Sequence, residues 1–247
     1  MANLQKNMTK TILYTKNLSV GYSKKIPLQD NLNLSLLKGN LTSIIGKNGI
    51  GKSTLIKTFV KILKPLSGEI FLQEKNINEI SRKDFAKMVS VVLTEKFNDG
   101  NFFVKDIISF GRSPYTGILG NLNKEDWRIV ENVATDLKIN DLLNKRFYEL
   151  SDGQQQKVLI AKALAQQTEI IILDEPTSFL DFQAKDEIFM LLKKIAKEKK
   201  LAVLVSSHDV FSVLKYSDFF WLLEKDGILC TTDKEIVKQK LNLDFSC

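Results

Sequence analysis

The chain has 247 residues, is 44% hydrophobic and carries a formal net charge of +7. That supplies apolar material for one large core or two small ones, but no unbroken apolar run nears the ~20 residues that span a bilayer. The positive balance does not mark a nucleic-acid binder, because lysines are scattered and arginine is limited to Arg82, Arg112, Arg128 and Arg146, whereas phosphate-backbone readers set arginine forks on one face.

The opening MANLQKNMTK lacks the apolar stretch of a signal peptide, so the chain is expected in the cytosol, with any membrane link made through a partner. Short apolar runs then alternate with amphipathic helical ones, the pattern of an α/β chain. Strands are predicted at 12–15, 32–37, 41–45, 69–72, 89–93, 170–173, 201–206 and 219–223, and helices at 52–63, 124–137, 153–165 and 183–199. Asp181 and Asp209 sit where helix N-caps belong. From about 97 to 164 one helical pattern follows another, which reads as a helical insertion in the α/β core. Cys230 and Cys247 are isolated, with no disulfide framework and no metal-ligand spacing.

Gly46-Lys47-Asn48-Gly49-Ile50-Gly51-Lys52-Ser53-Thr54 follows the predicted strand 41–45 and opens a helix. In that setting G-x-x-x-x-G-K-S is a phosphate loop: glycines let backbone N–H groups turn inward, and the helix N-terminus adds a favourable dipole. Lys52 is expected to reach the β- and γ-phosphates, Ser53 to ligate Mg²⁺, and Thr54 to help hold the α-phosphate. Ile170-Ile171-Ile172-Leu173 reads as a strand buried on both faces. Asp174 and Glu175 end it, where open α/β sheets put their ligands. Asp174 is expected to hold Mg²⁺ through water and Glu175 to polarise the attacking water. His208, the sole histidine, follows the strand at 201–206 and is a candidate γ-phosphate contact. Asn123-Lys124-Glu125-Asp126 matches the N-K-x-D that selects guanine, but it follows a Gly-rich segment and no D-x-x-G accompanies it, so it reads as an acidic helix start.

Leu150-Ser151-Asp152-Gly153-Gln154-Gln155-Gln156-Lys157 completes the set. With it, nearly the whole chain resembles the ATP-binding subunit of an ABC transporter. The resemblance implies one ABC ATPase domain over 1–247: a RecA-like P-loop core (9–96 and 165–247), an N-terminal antiparallel β subdomain and a helical subdomain at about 97–164. It implies that Tyr22 stacks on adenine and that Asp181 belongs to the D-loop, with Phe179 where a smaller residue is usual. It further implies that Ser151, Asp152, Gly153 and Gln154 act on ATP held by a second copy, so two chains enclose two nucleotides.

Two departures stand out. The family's Mg²⁺-touching glutamine falls on Glu95, a stronger ligand that also adds negative charge beside triphosphate. Asp152 replaces a glycine, and it is expected to cap the helix that follows. The run Val104-Lys105-Asp106-Ile107-Ile108-Ser109-Phe110-Gly111-Arg112-Ser113-Pro114-Tyr115 resembles importers of iron-siderophore, haem or cobalamin. On that likeness two copies dock under a polytopic permease at the cytoplasmic face of the membrane, fed by an extracytoplasmic binding protein. An exporter ATPase and an Fe–S assembly ATPase are the competing classes.

Overall fold

The computed structural model of the chain describes residues 11–23, 26–94, 101–117, 120–225 and 227–242. Thr11–Val20 (β1), Gln29–Leu32 (β2) and Ser35–Leu37 (β3) come first, and Leu41–Ile45 (β4) then leaves for a second sheet. Ser67–Leu72 (β5) and Lys75–Asn76 (β6) complete an antiparallel sheet in the order β2-β1-β5-β6, with β3 paired to β1. The predicted strand 32–37 is therefore broken. One buried hydroxyl explains the break: Thr15 Oγ1 donates to Leu32 O at 2.8 Å and accepts from Leu34 N–H at 2.9 Å, so β1 changes partner without an orphaned backbone group.

The second sheet adds Val89–Val92 (β7), Ile170–Asp174 (β8), Ala202–Ser206 (β9), Phe219–Glu224 (β10) and Gly227–Thr231 (β11), in the order β11-β10-β4-β9-β8-β7. All neighbours run parallel except β11, which turns back along β10. β4, β8 and β9 are buried at every position, as strands covered on both faces must be. Along β8, Ile170 and Ile172 join the apolar cluster shared with the antiparallel sheet, while Ile171 and Leu173 join the one shared with the helices. The period of two thus divides one Ile-rich run between two cores.

Lys52–Phe59 (α1) lies in the first of these cores, where Phe59 meets Trp221 edge-on at 6.1 Å. It stops short of the predicted 52–63. Lys61 adopts a left-handed φ of 62°, Ile62 N–H reaches back to Lys57 O at 2.9 Å, and Lys61 N–H to Thr58 O at 3.2 Å. This is a Schellman stop built on lysine instead of glycine. The remaining helices are Arg82–Ala86 (α2), Val104–Ser109 (α3), Lys124–Asp136 (α4), Asp152–Ala165 (α5), Phe182–Glu198 (α6), Val210–Tyr216 (α7) and Lys234–Lys240 (α8). Asp181 and Asp209 cap α6 and α7, accepting from Ala184 N–H at 2.8 Å and Ser212 N–H at 3.3 Å. The cluster that packs α3, α4 and α5 continues into β8 and β9. Among the described residues no helix is long and apolar enough to cross a membrane.

Candidate functional site

Parallel strands bring their C-terminal ends to one edge, and the sheet order makes β4, β9, β8 and β7 consecutive neighbours there. From β4 comes the phosphate loop, from β9 Ser206 and His208, from β8 Asp174 and Glu175, and from β7 Thr94.

The loop is shaped by close approaches. A Cβ on Gly46 would lie 2.8 Å from Leu223 O, so the turn admits only glycine there, and Gly49 and Gly51 hold left-handed φ values of 78° and 112°. Gly51 also starts α1 without any side-chain cap, which leaves the first N–H groups of the helix for an anion. Lys47, Asn48 and Gly49 are exposed along the rim, and Ile50 is half-buried. Lys52 is only 5% exposed and donates to Gly46 O at 2.8 Å and Lys47 O at 3.2 Å. Burial lowers its pKa, and the Glu175 and Asp174 carboxylates offset part of that shift. A cation held at low dielectric beside uncapped N–H groups is a ready partner for phosphoryl oxygens.

Ser53 Oγ donates to Asp174 Oδ1 at 3.2 Å, which brings a hydroxyl and a carboxylate, the hard oxygen donors that Mg²⁺ takes directly or through water, together beside the loop. The pair therefore fits Mg²⁺. Among the described residues no three His, Cys, Asp or Glu side chains cluster to hold a metal, which leaves room around this pair for ligands from substrate and water. Thr54 Oγ1 sits 3.5 Å from the hydroxyl of Tyr22, whose ring is 73% exposed above the loop. Glu95 lies outside the described residues, and Thr94 before it donates to Asp174 O at 2.8 Å.

Glu175 carries the strained backbone of the site, a left-handed φ of 48° in a non-glycine residue, costing ~1–3 kcal/mol. Its Oε1 meets His208 Nε2 at 2.5 Å, and its Oε2 accepts from Ser178 Oγ at 2.9 Å. An ionised carboxylate only accepts, so this contact suits an N–H on the His208 Nε2.

Ser206 is the residue that sequence reasoning passes over. Its hydroxyl donates to Asp174 Oδ1 at 2.6 Å and accepts from the backbone N–H of Glu175 at 2.9 Å, tying both carboxylate positions to β9. A polar pair, Ser206-Ser207, ending an apolar strand beside His208 is the signal that could have found it. Ser206→Ala leaves the half-buried Glu175 N–H without this partner, which costs about 1 kcal/mol, at roughly 2–4 °C of midpoint per kcal/mol. Thermal unfolding of the variant checks this; an unchanged midpoint would show that the bridge contributes nothing.

Gln29 is a second omission. It is 3% exposed, and its Nε2 donates to Ile50 O in the loop at 3.1 Å and to Glu224 O at the end of β10 at 2.9 Å. One amide thus fastens the phosphate loop to the neighbouring strand.

The signature residues open α5, and of them Asp152 shares a cleft with Glu175. Ser151 is the N-cap of α5: its Oγ accepts from Gln154 N–H at 3.3 Å, and Gln154 Oε1 accepts from Ser151 N–H at 3.1 Å. This corrects the expectation that Asp152 caps the helix. Asp152 is the first helical residue, where a carboxylate favours the positive helix end, and it lines a cleft of about 60 Å³ with Glu175 and Phe179. A Cβ on Gly153 would make an ordinary 3.4 Å contact with Ala184 Cβ, so no contact among the described residues demands glycine there.

The family model described as ABC transporter matches residues 29–178. The chain is 44% identical over 218 residues to an uncharacterized ABC transporter ATP-binding protein of Methanocaldococcus jannaschii, covering 88% of this chain and 75% of that one. It is 34% identical over 238 residues to the iron(3+)-hydroxamate import ATP-binding protein of Bacillus subtilis, covering 94% and 88%. A solved structure assigned to a metal-chelate type ABC transporter, in an inward-facing conformation, superposes with a TM-score of 0.82 at 27% identity, over 94% of this chain and 88% of that one. Phosphate loop, acidic strand end, histidine and signature helix thus coincide with this similarity along nearly the whole length, and the chain belongs to the ABC transporter family as an ATP-binding protein.

Proposed function

We propose that this protein is the ATP-hydrolysing subunit of an ABC importer for an iron chelate, haem or cobalamin. The direct 2.5 Å contact of Glu175 with His208, over a phosphate loop with a buried lysine, carries the catalytic part of the reading. Lys52 and the uncapped start of α1 bind the β- and γ-phosphates, Thr54 helps at the α-phosphate, and Tyr22 offers its face to adenine. Glu175 polarises the attacking water, and His208 orients that carboxylate before nucleotide arrives and turns to the γ-phosphate when it is bound. Ser53 and Asp174, with Glu95 as a further candidate, would hold Mg²⁺, which supplies Lewis-acid polarisation of the phosphoryl oxygens.

The signature half-site serves a second copy. The Ser151 cap uses its oxygen as an acceptor and leaves the O–H as a donor. Gly153, unconstrained from within, lets a partner's phosphate come close. Two copies then close on two ATP molecules, with Asp181 in the loop between the sites. Importer direction rests on the Gly111-Arg112-Ser113-Pro114 likeness and on the importing relatives. The permease docks the pair at the cytoplasmic face of the membrane, and an extracytoplasmic binding protein delivers the cargo.

Affinity purification from a detergent extract tests the assignment. A polytopic membrane protein should accompany the chain in equal amount and stimulate its ATPase activity. A soluble scaffold complex with no membrane protein would overturn the importer reading in favour of an assembly ATPase.

A further inference from the structure

The run Gly111-Arg112-Ser113-Pro114-Tyr115 holds no nucleotide, yet it is firmly engaged. It lies in the 3₁₀ turn Phe110–Tyr115, and Arg112 within it is 5% exposed. Arg112 Nε donates to Asp126 Oδ1 at 3.0 Å, in the first turn of α4. Its Nη1 donates to Ala165 O at 2.7 Å and to Gln167 Oε1 at 2.9 Å, at the last turn of α5. One guanidinium therefore joins the start of α4 to the end of α5. Burial alone would raise the Asp126 carboxyl, but the Asn123 N–H and Arg112 outweigh it and hold the group below its ordinary range.

Neighbours reinforce the joint. The Tyr115 ring lies 4.0 Å from the guanidinium carbon, and its hydroxyl donates to Gln166 O at 3.0 Å. A Cβ on Gly111 would fall 2.2 Å from Lys162 O, so the backbone presses directly on the helix. On the other side Gln166 Nε2 donates to Ala86 O at 2.5 Å and Val89 O at 3.1 Å, at the entry to β7. Carbonyls that a helix end leaves orphaned are taken, and a cation meets the negative end of the dipole.

The opposite end of α5 carries Ser151 and Gly153. Fourteen residues make a lever of ~21 Å, so a tilt of about 5° about the pinned end moves Ser151 by about 2 Å. A hydrogen bond to phosphate tolerates a few tenths of an ångström. We infer that Arg112 is a positioning residue for the signature half-site: it fixes the far end of α5 so that Ser151 and Gly153 meet the terminal phosphate of ATP on a second copy. This rests on the two-copy ATP site proposed above. Lysine cannot replace the fork, since it bonds as a point charge without the planar face that Tyr115 covers.

The test uses the full chain carrying Glu175→Gln, with ATP and Mg²⁺, and sedimentation to find the concentration of half-dimerisation. Arg112→Lys keeps a cation beside Asp126 and should raise that concentration about tenfold. Its affinity for ADP, measured on the monomer, should stay within twofold, because its own phosphate loop is untouched. Tyr115→Phe removes only the bond to Gln166 O and should give about a twofold to threefold rise, which keeps the test available if Arg112→Lys does not fold. Half-dimerisation unchanged in the variants, or ADP affinity falling in parallel with it, would overturn the positioning role. A Glu175→Gln parent that never dimerises would fell the two-copy reading first, and this role with it.

Discussion

Lys52→Ala should all but stop ATP hydrolysis while leaving the fold intact. The ammonium is the cation among the buried side chains of the loop, and the uncapped N–H groups beside it cannot replace a full charge. Removing one preorganised charge-stabilising donor costs about 10²–10³-fold in turnover. Stability should change little. Burial lowers the Lys52 pKa, so the folded protein holds this charge at a cost, and alanine relieves it. Against that, alanine leaves Gly46 O and Lys47 O without their donor, so gain and loss offset each other in the thermal midpoint. Phosphate release and thermal unfolding, measured on one preparation, separate loss of turnover from loss of fold. Undiminished turnover would remove the phosphate site from this loop.

Glu175→Gln acts on the chemistry and spares the grip. Glutamine keeps the size of the side chain and can still meet His208 and Ser178, but it does not take up a proton. The left-handed backbone at this position is neither relieved nor worsened, since both residues carry a Cβ. Loss of a general base lowers the chemical rate by about 10²–10⁴-fold. ATP should then bind and persist, and the variant should elute as a dimer with ATP and Mg²⁺ and as a monomer with ADP. A variant that stays monomeric at saturating ATP and Mg²⁺ would contradict the shared site.

Buried parallel strands were the most legible part of the fold. The apolar runs at 41–45 and 170–173 mark β4 and β8 because a strand covered on both faces has no polar option. Capped helices were legible too, as the Asp181 cap and the start of α6 illustrate. What sequence reasoning lost were turns made without the usual residues. β6 follows Gln73 and Glu74, both left-handed at 48° and 65°, the shape normally signalled by Asn-Gly. Lys61 ends α1 where glycine is the common stop. The split of 32–37 rests on the Thr15 hydroxyl, which no local pattern reports. At the site, residues read from the loop and the acidic strand end do converge. Gln29 was invisible and Ser206 only faintly signalled, because their importance comes from partners far along the chain, 31 residues away for Glu175 and 195 for Glu224.

The Gln29 amide has a mechanical corollary. Because it grips Ile50 and Glu224 together, the fuel cradle and the β10–β11 border of the sheet are welded into one body. Nucleotide seated in that cradle should therefore steady the end of β10 as well, through a single side chain.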